Sequence, residues 1–261
     1  MRSSPPIMRP IIHCGCVLFL QAASPGLAAD EMPDGFVYLR DVDPTIAQDI
    51  RYAGDGNFTG APVPGYGAAE CVLAREAAEA LKRVQEAVAV RGLTLKVYDC
   101  YRPERAVSSF VGWAQKPDDP KAKETYYPNL DKRALFSAYI ATRSGHSRGA
   151  TVDLTLVPVD ASPPKPEDAP RACTAPQKGQ APDGSVAMGT SFDCFDKKAN
   201  TETSGLSDEE RANRADLVEA MQAQGFENYP MEWWHFTLKR EPYPDTYFDF
   251  PIEARESSPS P

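Results

Sequence analysis

The chain predicts a globular protein of both helices and strands, in one ordinary domain or two small ones, on three observations. Its 261 residues are 42% hydrophobic and 25% charged, enough to bury a sizeable core. Short β-branched or apolar runs read as strands, and longer stretches with apolar residues at helical spacing read as helices. The formal net charge is −9 with no basic cluster, which argues against nucleic acid or an anionic membrane surface as partner.

Taken in order, residues 1–29 have the pattern of an export signal. Arg2 and Arg9 lead, Ile11 to Ala23 forms a short apolar core, and Gly26-Leu27-Ala28-Ala29 offers small residues for cleavage. The apolar run is about thirteen residues and includes His13 and Gln21, short of the roughly 20 that span a bilayer. Cys14 and Cys16 suggest a lipoprotein alternative, but the residues before them fit that pattern poorly. Cleaved export, to a periplasm, is the expectation, and it would leave 26 basic against 37 acidic residues, a net charge of −11.

Phe36-Val37-Tyr38-Leu39 alternates like a short strand, and Asp49 to Ala53 leads into a turn-rich run, Gly54 to Gly67, holding Asn57-Phe58-Thr59-Gly60. So long a glycine-rich loop points to function. Leu73, Ala77, Leu81, Val84 and Val88 predict a helix over 69–91 that Gly92 ends. A strand follows at Leu93 to Tyr98, broken by Arg102-Pro103, then a helix from Glu104 through Phe110 and Trp113, and another over 131–141. Thr151 to Val157 reads as a buried strand. Nine of the 27 residues from Pro158 to Gly184 are proline or glycine, the composition of a polar, poorly structured insertion loop. Ser207-Asp208-Glu209-Glu210 is a capping box for a last helix, with Leu217, Val218 and Met221 inward and Gly225 at its end. A strand over 231–238 follows, and the tail beyond Arg240 wraps the surface and then frays, with 251–261 disordered. After the leader the cysteines are Cys71, Cys100, Cys173 and Cys194, which allow three pairings, and Cys71–Cys100 with Cys173–Cys194 is favoured. Cysteine-ligated zinc is the weaker alternative, because no Cys-x-x-Cys pair is present.

The chemistry concentrates in Ser144 to Asp153. Beyond the leader only two histidines exist, His146 and His235, and the second lies in the unusual Glu232-Trp233-Trp234-His235. Two imidazoles with Asp153 make the three-ligand set of a catalytic zinc, the fourth position left to water; a pair of hydrogen-bonded core histidines is the bland alternative. Residues seven apart face opposite sides of a strand, so His146 and Asp153 share a ligand only if Ser147-Arg148-Gly149 turns. Zinc there would acidify its water and polarise a carbonyl. Glu232 is the candidate base, or else a surface acid, and serving beside His235 requires an irregular backbone at Trp233. Arg102, at a strand end stiffened by Pro103, is either the fixed positive group for an oxyanion or a surface arginine. Trp233 and Trp234 would pack behind the metal and keep it dry.

Ser144-x-His146-x-x-Gly149-x-x-x-Asp153 with Glu232-x-Trp234-His235 resembles the zinc DD-peptidase superfamily that also includes the hedgehog signalling domain. Tyr52 with Asn57-Phe58-Thr59-Gly60, Tyr101-Arg102-Pro103 and Met188-Gly189-x-x-Phe192-Asp193 narrow the likeness to D-alanyl-D-alanine dipeptidases of the VanX type, over about 35–250. The resemblance implies a single α+β domain with a mostly antiparallel sheet packed by helices. It implies one Zn2+ on His146, Asp153 and His235, Glu232 as base, and Arg102 stabilising the transition state. It further implies a small dipeptide substrate, with Tyr52 and Asp193 near its ammonium and Ser144 also in contact. A DD-carboxypeptidase or endopeptidase acting on peptidoglycan stems, and a catalytically silent zinc-stabilised binding module, are the alternatives. The stretch from Val157 to Ala187 is longer than the family pattern, and a Cys173–Cys194 bridge would fix the neighbouring Asp193.

Overall fold

Strand β1 (Phe36–Tyr38) runs into a single helical turn, α1 (Leu39–Val42), and β2 (Ala47–Gln48) follows. The helix expected over 69–91 begins later, because Cys71-Val72-Leu73-Ala74 are all buried, which one helical face cannot achieve. Those residues contribute β3 (Val72–Ala74), paired antiparallel with β1, and α2 (Arg75–Ala89) starts only then. Beyond it, Gly92 adopts φ +74° and turns the chain into β4 (Leu93–Asp99). Helix α3 (Glu104–Ala114) buries Phe110 and Trp113 as its spacing requires.

A further helix, α4 (Pro120–Tyr126), was not anticipated, although Asp119 caps it through Lys121 N and Ala122 N and Pro120 sits at its first turn. In place of the helix expected over 131–141 there is a 3-10 turn at Lys132–Ala134 and a bridge between Phe136 and Ile140. Leu135 and Ile140 are both buried but five apart, so a regular helix would turn one away from the core. Strand β5 (Thr151–Pro158) is as expected, and α5 (Asp208–Ala223) carries the Ser207/Glu210 capping box. Strand β6 (Phe226–Asn228) precedes β7 (His235–Leu238), which is half the strand expected there, because residues 229–235 turn: Glu232 N donates to Tyr229 O and His235 N to Glu232 O.

The computed structural model describes residues 1, 31–136, 139–161, 172–177 and 181–255; the expected export signal (Met1 apart), much of the insertion and the end of the tail lie outside the described residues. The architecture is a single α+β domain. Its main sheet has the order β2-β4-β5-β7-β6, antiparallel except for β2 beside β4. Helices α2 and α5 pack together, α2 on β4 and α5 on β5 and β6. Among the described residues no helix is long and apolar enough to cross a membrane. Both favoured disulfides are present, Cys71–Cys100 and Cys173–Cys194. The tail crosses back over the N-terminal strands: Phe250 stacks on Tyr101 at 4.1 Å, and Ile252, expected to be disordered, is buried and bridges to Tyr66.

The far side of the insertion is tied to the sheet at Asp183. Its carboxylate meets Arg51 Nη2 at 3.0 Å, Lys96 Nζ at 3.1 Å and the Tyr98 hydroxyl. Burial works to raise its pKa, but Lys96 and Arg51 outweigh this and hold it below the usual carboxylate range. A folded-state pKa below the unfolded one means stabilisation that is complete above the unfolded value and lost as pH falls toward the folded one. Asp183→Asn should therefore cost about 2 kcal/mol at neutral pH and flatten the loss of stability on acidification below about pH 4, measured by denaturant melts across pH. An unchanged acid limb would show that Asp183 carries none of it.

Candidate active site

His146 and Asp153 meet because Gly145–Arg148 winds into a 3-10 turn and Gly149 follows at φ +81°. A Cβ at 149 would lie 2.3 Å from the Phe36 ring, so glycine is required there by conformation and by space. Ser144 opens the turn, its Oγ accepting from His146 N at 3.3 Å. His235 comes from β7, directly across from Asp153 in the β5–β7 ladder. The separations are 3.2 Å between His146 Nε2 and Asp153 Oδ1, 3.0 Å between His235 Nδ1 and Asp153 Oδ1, and 3.3 Å between the two imidazole nitrogens.

Those three atoms require something positive between them. His146 is fully buried with Nδ1 2.6 Å from Cys100 O; a carbonyl has no proton to give, so Nδ1 donates to it and Nε2 faces Asp153 and His235. Asp153 Oδ1 is buried and without a hydrogen-bond donor. Burial works to raise the Asp153 pKa, and the adjacent imidazoles outweigh it and keep the carboxylate ionised. Bonds of about 2.0–2.1 Å at tetrahedral angles place donor atoms about 3.3 Å apart, matching these spacings. Two imidazoles and a carboxylate with one orphaned oxygen fit a divalent cation.

Seven of the eight expected site residues line one cavity of about 290 Å³: Tyr52, Arg102, Ser144, Asp153, Asp193, Glu232 and His235. His146 sits behind its wall. The turn at 229–235 brings Glu232 to the side of His235, Oε2 3.5 Å from Nδ1. Burial pushes Glu232 up to about 7, with His235 and Arg102 opposing and Asp153 adding to it. Trp233 and Trp234 are both buried behind this turn, Trp233 Nε1 donating to Thr190 Oγ1 at 2.8 Å.

Two further side chains were missed from the sequence. Asp99 is fully buried, its Oδ2 2.8 Å from Arg102 Nε and 2.7 Å from Nη2, while Oδ1 accepts from Tyr66 OH at 2.6 Å. Oδ2 also lies 3.5 Å from His146 Nδ1, so Asp99 fixes the arginine and sits beside the histidine whose Nδ1 proton Cys100 O accepts. An acid three residues before an arginine at a strand end was the available signal for Asp99; Tyr66 offered none.

At the deep end, Tyr52 OH is 2.9 Å from Asp193 Oδ2. Burial pushes the tyrosine well above its ordinary pKa, with Asp193 adding to it, so the phenol donates. Burial likewise pushes Asp193 well up, helped by Asp153. Asp193 is the one non-glycine residue at positive φ among those described, +58°, and its neighbour Cys194 is bonded to Cys173. The Asn57 loop closes this end: Asn57 Nδ2 donates to Gly54 O at 2.7 Å, Oδ1 accepts from Thr59 N at 2.9 Å, and Phe58 is thereby aimed at the cavity.

The sequence profile of the M15 peptidases, described as D-ala-D-ala dipeptidase, matches residues 32–164 and 179–253. The chain belongs to this family. It is thus a metallopeptidase, and the break in the match falls within the proline-rich insertion. This M15 peptidase is 39% identical over 223 residues to a D-alanyl-D-alanine dipeptidase of Enterococcus faecium, spanning 85% of this chain and 100% of that one. It is 40% identical over 222 residues to one of Streptomyces coelicolor, with 85% and 100% covered. A D-alanyl-D-alanine dipeptidase of Escherichia coli is 27% identical over 202 residues, 77% of this chain and 83% of the relative.

A cation that binds only the folded chain must raise its stability, by about 4 kcal/mol at a thousandfold excess over Kd. Adding Zn2+ to metal-stripped protein should raise the unfolding midpoint accordingly, and Asp153→Ala should abolish the rise. An equal rise in wild type and variant would place the metal elsewhere.

Proposed function

We propose that this protein is an exported, zinc-dependent dipeptidase that hydrolyses D-alanyl-D-alanine to two D-alanines. The observation that carries the reading is one small cavity lined by Asp153, His235 and Glu232, with His146 directly behind its wall, while a buried carboxylate, Asp193, waits at the deep end. Zinc held by His146, Asp153 and His235 would polarise the scissile carbonyl and acidify the attacking water.

Glu232, poised near neutrality, accepts the proton of that water and returns it to the departing amine nitrogen. The Arg102 guanidinium, fixed by Asp99 and 3.4 Å from Ser144 Oγ, faces the charge that develops on the carbonyl oxygen. Among the described residues Asp193 forms no ion pair, and burial outweighs the pull of Arg102, so a substrate ammonium would supply the missing charge and return it to the ionised state. The ring of Tyr52, 5.0 Å from Phe110 and 6.0 Å from Phe58, closes the cavity behind that pair, which favours a free dipeptide over a longer stem. Two disulfides suit an oxidising compartment and agree with the export pattern of residues 1–29.

Free D-alanyl-D-alanine should be cleaved and a stem pentapeptide left intact, with a chelator abolishing turnover. Glu232→Gln should lower kcat by about 10²–10⁴ with little change in KM. Cleavage of the pentapeptide alone, or full activity in the variant, would overturn the reading. Cys173→Ser with Cys194→Ser should cost on the order of 3 kcal/mol of stability and raise KM for the dipeptide through misplacement of Asp193. Unchanged stability and KM would separate that bridge from substrate binding.

A further inference from the structure

The cavity's charges do not balance, and one of its arginines stands without an acid. Asp153, Asp193 and Glu232 line it against Arg102 and Arg143. Arg102 is committed to Asp99 by two contacts under 3 Å. Arg143 is exposed at the rim and has no hydrogen bond or ion pair among the described residues. What holds it is an aromatic face: its guanidinium carbon lies 4.6 Å from the centre of the Tyr247 ring.

That ring is itself fastened. Tyr247 OH accepts from Arg148 Nη1 at 3.3 Å, and Arg148 forks onto Glu241 through two bonds of 2.7 Å. Stacking of this kind restrains a guanidinium without neutralising it, and leaves its planar edge of N–H donors for a ligand. The residue after Arg143 is Ser144, whose hydroxyl lies beside Arg102, so the rim cation and the reaction centre are joined by one stretch of backbone.

We infer that Arg143 receives the free carboxylate of the substrate and selects peptides that end at the residue after the scissile bond. The inference rests on the dipeptidase reading, in which a zwitterion must fit one small cavity. Its ammonium goes to buried Asp193; its carboxylate would be repelled by Asp153 and Glu232 and meets, among the lining residues, one cation not already paired. A guanidinium fork matches a carboxylate with two parallel hydrogen bonds, which a terminal amide cannot replace.

The test compares D-alanyl-D-alanine with D-alanyl-D-alanine amide on wild type, Arg143→Ala and Arg143→Lys. Wild type should prefer the free acid. In Arg143→Ala, kcat/KM on the acid should fall about tenfold through KM, at the lower end for a charge-assisted bond because the rim is exposed, and the acid/amide preference should shrink by the same factor. Arg143→Lys should restore part of it, and rising salt should raise KM on the acid more steeply in wild type than in Arg143→Ala. An unaltered acid/amide ratio in Arg143→Ala overturns the inference while leaving the dipeptidase standing. Failure of wild type to cleave either compound overturns both.

Discussion

A single carboxylate, Asp153, sets the terms for the rest of this molecule. It sits in the middle strand of the main sheet, buried, with Asp99 opposite it on one side and His235 opposite it on the other. An ionised group so placed is expensive unless charge of the other sign is brought to it. The surrounding structure brings partners to it from several directions. The 3-10 turn delivers His146, the ladder delivers His235, and Arg102 Nη2 comes within 3.5 Å of Oδ2. One oxygen remains without a donor, and the geometry around it is that of a cation site.

The second layer explains why these groups stay where they are. Cys100 is tied to Cys71, and its carbonyl holds the Nδ1 proton of His146. The preceding residue, Asp99, holds Arg102, and the backbone N–H of Arg102 reaches the carbonyl of His146 at 3.3 Å. A short segment at the end of β4 therefore orients both a ligand and the strongest cation of the cavity. Loops supply the reacting groups, but a disulfide and two strands decide their positions, as preorganised sites require.

Much of this was legible in the residues alone. The buried run of β5, the capping box of α5 and the scarcity of histidine, two beyond residue 29, pointed to side chains that the fold does bring together: His146, Asp153, His235 and Glu232. Other features were hidden for physical reasons. The β3 segment looked helical because Leu73 falls in register with the α2 stripe, although burial of four consecutive residues demands a strand. The segment around Leu135 has apolar residues whose spacing imitates a helix, yet its two buried anchors, Leu135 and Ile140, lie five apart, which one helical face cannot serve. Asp99 and Arg143 escaped notice because an isolated acid or arginine acquires meaning only from what lies across space, here Tyr66, Arg102 and Tyr247.

The tail closes onto the turn that bears His146. Phe248 N donates to Ser147 O at 2.8 Å inside the turn that bears His146, and Tyr247 is the platform beneath Arg143 and Arg148. Backbone a hundred residues downstream thus completes the loop that bears His146. Every strand of the main sheet ends before residue 239, yet the turn that bears His146 takes a hydrogen bond from residue 248. The cation site is therefore a property of the closed domain and not of the sheet alone.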